Sequence, residues 1–358
     1  MLDPQRPFGV SGEQVERCRT LVAEIDELAR QTGGYDAQQQ WLNDVATGPV
    51  FDPGQPLRSE DITPEFIATL PERSTIFAGA SLEGNEMNAA GHAIWSLLKH
   101  VSPKIGAKVV DRWWHHLTSS NRYHGLPLTI ADRLAALRMR RLPSFLHPPV
   151  SFDGTAHDRM ALTERLAALE AAGAIQPLRA KRNTTVLEIG AGYGALAFSL
   201  KSVLPQATYV IVDLPETLKL AACYLATRQD HPVMMASVSA VAPKERCFLL
   251  CVATAIKRLE GLPIDLAINT LSFGEMSAVE VGRYASFLQR NLAPGAKLFE
   301  QNFDNSHVAS PNFCNPTVVL AQHFNHHTPV SGMYIKGRPR LWSTQPLEGE
   351  IKHSHGTN

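Results

Sequence analysis

From Thr184 onward the chain breaks into short apolar runs bounded by Gly, Pro or polar residues, with helical segments between them. The runs are "TTVLEIG" (184–190), "TYVIVDLP" (208–215), "CFLLCVA" (247–253), "IDLAINT" (264–270) and "AKLFEQNF" (296–303). Between them lie "GALAFSLKSVL", "PETLKLAACYLATRQ" and "SAVEVGRYASFLQRNL", which read as helices. Strands that are apolar on both faces and alternate with helices imply a doubly wound, mostly parallel α/β sheet covered on both sides. The stretch from Thr184 to Asn358 fits one seven-stranded sheet. Its third strand is read as Cys247 to Val252, with "VMMAS" (233–237) as an extra piece or edge. "GMYIKGRPRLWST" (332–344) would add an antiparallel hairpin.

The part before Thr184 reads as mostly helical. "SGEQVERCRTLVAEIDELARQT" (11–32) opens on Ser11 with Gln14 three residues on, a capping-box pattern, and Val15, Cys18, Val22, Ile25 and Leu28 recur at helical spacing. Thr63 and Pro64 make an N-cap and first-turn pair in "ITPEFIATL". Further helices are expected at 86–100, 108–120, 128–142 and 157–173, the last closed by Gly173. The segment 142–156, with its prolines and a glycine, suits a linker. The expected organisation is therefore a helical N-terminal domain over 1–150, an α/β domain over 151–350 and a disordered tail over 351–358. A helical part of this size suits a lid and a homodimer surface.

Composition narrows the partners. Lys+Arg and Asp+Glu balance at 34 each, so no polyanion is invited by global charge and nucleic acid is not an expected partner. No apolar stretch is long enough to span a bilayer, and "MLDPQRPFGV" lacks the layout of a signal peptide, so a cytoplasmic protein with no membrane partner is expected. Cys18, Cys223, Cys247, Cys251 and Cys314 are odd in number and scattered, as reduced thiols would be, and form no zinc pattern.

Gly190, Gly192 and Gly194 follow the first strand and open a helix, where an α/β sheet binds ligands outside the carboxyl ends of its strands. Missing Cβ atoms let a ligand approach the backbone, and the helix start offers free N–H groups. Two ligands fit. "GAGYGA" meets the dinucleotide pattern through Gly190, Gly192 and Ala195, with Asp213 at a suitable distance. Glu188, Gly190, Gly192 and Gly194 also meet E-x-G-x-G-x-G, the S-adenosylmethionine pattern. An acid just before the first glycine suits that ligand's sulfonium and ammonium cations, and dinucleotide binding does not call for one. A dehydrogenase would also need a second mononucleotide half, so methyl transfer leads and a bare tight turn trails. Asp213 ends the second strand, where a carboxylate can accept both ribose hydroxyls or cap the following helix.

With "VLEIGAGYGALAFSL", "YVIVDLPETLKLAACYL" and "IDLAINTLSFGEMSAVEVGRYASFL" on the page, the sequence resembles a class I S-adenosylmethionine-dependent methyltransferase, and more narrowly the sugar O-methyltransferase family. The likeness covers roughly residues 184 to 305. It implies a Rossmann-like methyltransferase sheet, S-adenosyl-L-methionine as cofactor, and methylation of a hydroxyl on a sugar or glycosylated small molecule. An N- or C-methyltransferase of another natural product and a non-catalytic S-adenosylmethionine-binding partner protein remain alternatives. The cofactor set it implies is Glu188, Gly190, Ala191, Gly192, Tyr193, Gly194, Asp213, Leu214, Asn269 and Thr270. Thr254 and Ser237 are the candidates for the adenine contact.

A sugar hydroxyl is weakly acidic, so a general base would help its attack on the methyl group. Glu275 in "SFGEM" and His307 in "NFDNSHVAS" are the catalytic candidates. Glu275 could instead serve as an early-turn carboxylate of the helix after it. Glu300 and Asn302 could face the site or the packed helices. His323 and His327 stand i,i+4, which suits a metal or, more simply, a solvated helix end; Asp304 with Glu275 could hold magnesium. No metal site is assigned. "RWWHHLTSSNRYHG" (112–125) could line an acceptor cleft or pack between helices.

Overall fold

The computed structural model describes residues 10–34, 36, 57–67, 70, 165–166, 168–228, 231–236, 246–306, 313–330 and 338–344. Its centre is a sheet of the strands β1 (Thr184–Ile189), β2 (Ala207–Asp213), β3 (Val233–Met235), β4 (Phe248–Val252), β5 (Ile264–Thr270), β6 (Leu292–Gln301), β7 (His326–Pro329) and β8 (Arg340–Ser343). They lie in the order β3-β4-β2-β1-β5-β6-β8-β7. β3, β4, β2, β1, β5 and β6 are parallel, whereas β8 runs antiparallel to both β6 and β7. The chain winds outward from β1 in both directions, through β2 and β4 on one side and β5 and β6 on the other. The point where this direction reverses, at the C-terminal end of β1, is where such a sheet opens a crevice.

Besides a short helix at Gln176–Arg179, the described helices include α1 (Gly12–Thr32), α2 (Ala195–Val203), α3 (Pro215–Arg228), α4 (Ala278–Asn291) and α5 (Pro316–Leu320). α1 carries the predicted capping box: the Ser11 hydroxyl accepts from Gln14 N–H at 3.2 Å while the Gln14 side chain accepts from Ser11 N–H at 3.0 Å. The predicted apolar stripe, Val15, Cys18, Val22, Ile25 and Leu28, is buried. Gly33 ends the helix in the left-handed region, and Thr63 caps the next turn by accepting from Phe66 N–H at 3.1 Å. Gly173 closes its helix with φ +67°.

α1 lies on α3, and a buried charge cluster joins them. Lys219 of α3 is fully buried and its amine reaches Asp26 of α1 at 2.6 Å, Glu216 at 2.7 Å and the Leu57 carbonyl at 2.6 Å. Glu216 in turn accepts from Leu57 N–H at 2.9 Å. The C-terminal end of α1 reaches the carboxyl end of the sheet. A Cβ on Gly34 would lie 2.9 Å from Val252 of β4 and 3.1 Å from Pro215, so only glycine fits there.

Three expectations change. The sheet has eight strands rather than seven, because "VMM" forms a parallel edge strand of its own on β4. The antiparallel arm that pairs with β8 is His326–Pro329, ahead of the stretch expected from sequence. His323 and His327 do not share a helix: α5 stops at Leu320, His323 contacts Gln289, and His327 stacks on Trp342 at 4.6 Å. The cause is local, since the five-residue helix begun by Pro316 gives way to a turn at "AQHFN" (321–325) that leads into the paired strand β7.

All five cysteines are buried and none is in a disulfide. No helix among the described residues is long and apolar enough to cross a membrane. The helices expected at 86–100, 108–120 and 128–142, the linker at 142–156, the 112–125 stretch, Ser237, His307 and the 351–358 tail lie outside the described residues.

Candidate functional site

The corner at the end of β1 is made by three glycines with left-handed backbone, φ +73° at Gly190, +58° at Gly192 and +89° at Gly194. Each lacks a side chain for a different reason. A Cβ on Gly190 would lie 2.1 Å from Ser272 Oγ, and one on Gly194 would press on Leu225 of α3 at 3.3 Å. Among the described residues, nothing lies within 4 Å of a Cβ on Gly192. Gly190 and Gly194 thus serve the protein's own packing, while Gly192 faces open space, and only there can the missing side chain make room for a ligand.

Asp213 at the end of β2 ties this turn to the next strand. Its carboxylate accepts from Gly192 N–H at 3.0 Å and from Leu214 N–H at 2.8 Å, leaving further lone pairs on both oxygens. Burial pushes its pKa up to about 7, against the pull of the backbone N–H groups of Leu214, Gly192 and Ala191. Glu188, one residue before the end of β1, is buried beneath the turn and accepts from the Tyr209 hydroxyl of β2 at 2.9 Å. Burial pushes it to about 7 as well; Tyr209 and Arg165 pull it down, and the charge of Asp213 adds to the rise. Burial thus disfavours the charged form of both acids at this corner.

Tyr193 contributes backbone to the turn, for its ring packs edge-on against Tyr224 at 5.1 Å. Asn269, expected at a ligand, is fully buried and its carboxamide is saturated by the protein. Nδ2 donates to the Ile189 carbonyl at 2.9 Å and to Ser272 Oγ at 2.6 Å, while Oδ1 accepts from Phe273 N–H at 3.2 Å and Asn302 Nδ2 at 2.9 Å. Thr270 beside it is buried and paired in register with Gln301. Leu271 then takes φ +69°, an uncommon backbone for a leucine, which swings Ser272 back across the glycine corner.

Glu275 sits in the 3-10 turn Phe273–Glu275, ahead of α4 and not in its first turn; Ser277 and Glu280 cap that helix. The backbone of the turn is clamped. Gly274 N–H donates to Asn302 Oδ1 at 3.3 Å, its carbonyl accepts from Asn305 Nδ2 at 3.0 Å, and the Phe273 carbonyl accepts from the Cys314 thiol at 3.6 Å. Glu275 is therefore half-buried on a rigid platform beside the corner. Asp304 is turned to its own loop, where it accepts from Ser306 and Asn315. Among the described residues no group of His, Cys, Asp and Glu is arranged to hold a metal ion.

Beyond β4, the Thr254 hydroxyl meets Thr32 of α1 at 2.7 Å. Thr32 and the close packing at Gly34 escape sequence reasoning because they come from the distant N-terminal helix. The doublet Gly33-Gly34 is a usable signal, since a helix needs only one glycine to end. Ser272 and Tyr209 carry no pattern of their own and become visible only through the parallel register.

No protein-family model matches the chain, and no curated protein matches it. Solved structures do resemble it. The S-adenosylmethionine-dependent methyltransferase SibL in its apo form is 14% identical, with a TM-score of 0.39 over 68% of this chain and 76% of that one. An O-methyltransferase family protein from Burkholderia thailandensis is 15% identical, with a TM-score of 0.35 over 62% of this chain and 69% of that one. The cyclopropane synthase MmaA2 from Mycobacterium tuberculosis is 10% identical, with a TM-score of 0.33 over 52% and 67%.

Proposed function

We propose that the chain binds S-adenosyl-L-methionine at the Gly190–Gly194 corner and transfers its methyl group to a hydroxyl of a small-molecule acceptor, a sugar or glycoside. The observation that carries this is the pairing of an open face at Gly192 with a buried carboxylate, Asp213, that already holds Gly192 N–H at 3.0 Å. Asp213 has lone pairs left for ribose hydroxyls. In their charged forms Asp213 and Glu188 suit a cationic ligand better than a pyrophosphate; Arg165 acts on Glu188, and no Lys or Arg stands in 188–194 or 213–216 to pair a pyrophosphate. That favours the sulfonium nucleoside over a nicotinamide dinucleotide.

Bound there, S-adenosylmethionine supplies an electrophilic methyl group on a sulfur that leaves as a neutral thioether. The chain's main task is alignment, which can supply about 7–11 kcal/mol in favourable cases. Glu275, on its clamped turn, takes the hydroxyl proton as the oxygen attacks, and His307 is a second candidate for that role. Residues 1–150 supply the acceptor lid, a homodimer surface or both in this proposal.

Calorimetric titration with S-adenosylhomocysteine and with NAD tests the cofactor half: binding of the first alone is expected, and binding of NAD alone would overturn it. Screening deuterium-methyl S-adenosylmethionine against sugars and glycosides for mass-shifted products tests the acceptor half. Product labelled on nitrogen or carbon would replace the O-methyl assignment, and cofactor binding without turnover would make the chain a binding partner.

A further inference from the structure

We propose that Asn302, just beyond β6, is a positioning residue: its Nδ2 donor supports the orientation that Phe273 N–H and the Ile189 carbonyl give the Asn269 carboxamide, and an acceptor in its place would oppose that orientation and disturb the glycine corner and the turn bearing Glu275. The inference rests on the S-adenosylmethionine assignment for its ligand readout, but the hydrogen-bond logic stands on the protein alone.

Backbone groups, whose roles cannot be exchanged, fix both amides. Phe273 N–H can only donate, so it needs the oxygen of Asn269; the Ile189 carbonyl can only accept, so it needs the nitrogen. Gly274 N–H likewise needs the oxygen of Asn302. That leaves Asn302 Nδ2 to donate to Asn269 Oδ1 at 2.9 Å and to Glu300 Oε1 at 2.9 Å. Glu300 is fully buried and its carboxylate also lies 3.5 Å from Trp342 Nε1 and 3.8 Å from Arg340 of β8. One orientation of each amide satisfies every group, and no other does.

The consequence reaches the corner. If Asn302 could no longer donate, the Asn269 oxygen would meet an acceptor and the amide would have to turn over. Its oxygen would then face the Ile189 carbonyl, the last residue before Gly190, and Phe273 N–H would lose its acceptor. Ser272 is held between Asn269 and Ile189, at 2.6 Å and 3.2 Å, and fills the space at Gly190, so it would move too.

Asn302→Asp keeps the shape and removes both donors. Asn302→Ala removes the side chain's polar atoms but lets Asn269 keep its orientation through Phe273, Ile189 and Ser272. A packing role makes alanine the worse change, and a positioning role makes aspartate worse. By calorimetry with S-adenosylhomocysteine at pH 8, we expect Asn302→Asp to weaken binding roughly tenfold or more and Asn302→Ala by about threefold at most. Relative to wild type, the Asn302→Asp deficit should shrink as pH falls from 8 to 6 and a growing share of the new carboxyl is protonated and donates again. The charged or titratable groups around it are Glu300 with Arg340, Glu275, Asp304 and the Cys314 thiol. Should Asn302→Asp not fold, adding Glu300→Gln supplies an amide that donates to Asp and removes the carboxylate clash while Asn269 still lacks its donor.

Amide exchange at Gly190–Gly194 in the ligand-free protein reads the same coupling whatever ligand binds, and faster exchange in the aspartate variant than in the alanine variant is expected. Wild type that fails to bind S-adenosylhomocysteine sinks the cofactor assignment alone. Alanine as damaging as aspartate by both readouts, or a deficit flat from pH 6 to 8, sinks the role of Asn302.

Discussion

Ser272 stands in the space that a side chain at Gly190 would need, with its Oγ 2.1 Å from where that Cβ would be, while a Cβ on Gly192 would meet none of the described residues within 4 Å. Two glycines two residues apart therefore do opposite things. One is closed by the protein and the other is left open.

That contrast predicts opposite phenotypes. Gly190→Ala adds a collision to a strained φ and should cost about 2 kcal/mol or more in stability, with Ser272→Gly recovering part of the loss. Gly192→Ala meets only the backbone penalty, about 1 kcal/mol, yet should weaken S-adenosylhomocysteine binding severely because its Cβ enters the open face. Denaturation midpoints and calorimetry on the two variants separate the effects. Equal stability losses with equal ligand affinities would show that Gly192 is not at a ligand.

The buried acids give a pH dependence with a definite sign. Asp213 and Glu188 have ordinary values of 3.8 and 4.5 and are each pushed up to about 7 in the folded chain. Between pH 4 and 7 the folded chain holds protons that the unfolded chain has released, so ligand-free stability should fall as pH rises through that window and level off above it. Glu188→Gln removes one of these groups, and its stability curve should be flatter than wild type over the same range. Denaturant unfolding at pH 5, 6, 7 and 8 measures the difference. A wild-type curve that rises with pH relative to Glu188→Gln would mean that Glu188 is ionised at low pH.

What could be seen in the sequence was whatever repeats locally. The strands and helices from Thr184 to Asn302 follow from apolar runs and their periodicity, and the capping box at Ser11 is written in three residues. The order of the strands depends on pairing partners far along the chain, so local pattern marks "VMMAS" only as an extra piece or edge and leaves open whether it pairs as an eighth strand. The glycine corner and Asp213 were legible because a tight left-handed turn at a strand end needs its residues at fixed spacing. The division of labour among the glycines was not, since it is decided by Ser272 and Leu225, which lie 82 and 31 residues from the glycines they crowd (272 − 190 and 225 − 194). Asn269 is expected at a ligand from its position at a strand end; what the sequence does not show is that its carboxamide bonds to Ile189, Ser272, Phe273 and Asn302.

Lys219 offers a test of how α1 is fastened. It is fully buried between Asp26 and Glu216, and removing one partner of such a cluster typically costs about 3–5 kcal/mol because the remaining charges are stranded. Lys219→Met should therefore destabilise strongly, and Asp26→Asn less, because Asp26 is partly solvated and Glu216 still faces the amine. Replacing all three with apolar residues should recover much of the loss. Thermal melts of the three variants check the order; a neutral Lys219→Met would mean that the cluster contributes nothing to the α1–α3 contact.

The last prediction concerns which base the corner accepts, and it follows from the direction of a hydrogen bond. Thr32 has one hydroxyl proton and gives it to the Leu28 carbonyl at 2.8 Å, so in the 2.7 Å contact between the two threonines it is Thr254 that donates. The exposed Thr254 oxygen is then left with lone pairs only. β4 lies beside β2 with Val252 in register with Asp213, which puts Thr254 on the side where the base of a nucleoside held by Asp213 would extend. An acceptor there favours the exocyclic amine of adenine and repels the carbonyl oxygen of hypoxanthine. Wild type should bind S-adenosylhomocysteine about five- to tenfold more tightly than S-inosylhomocysteine, the worth of one hydrogen bond. Thr254→Val should bring the ratio near one. Thr32→Val should do the same by a different route, since it frees the Thr254 proton to turn and serve the inosine oxygen. Competition calorimetry measures the three ratios, and a wild-type ratio of one would place the base away from Thr254.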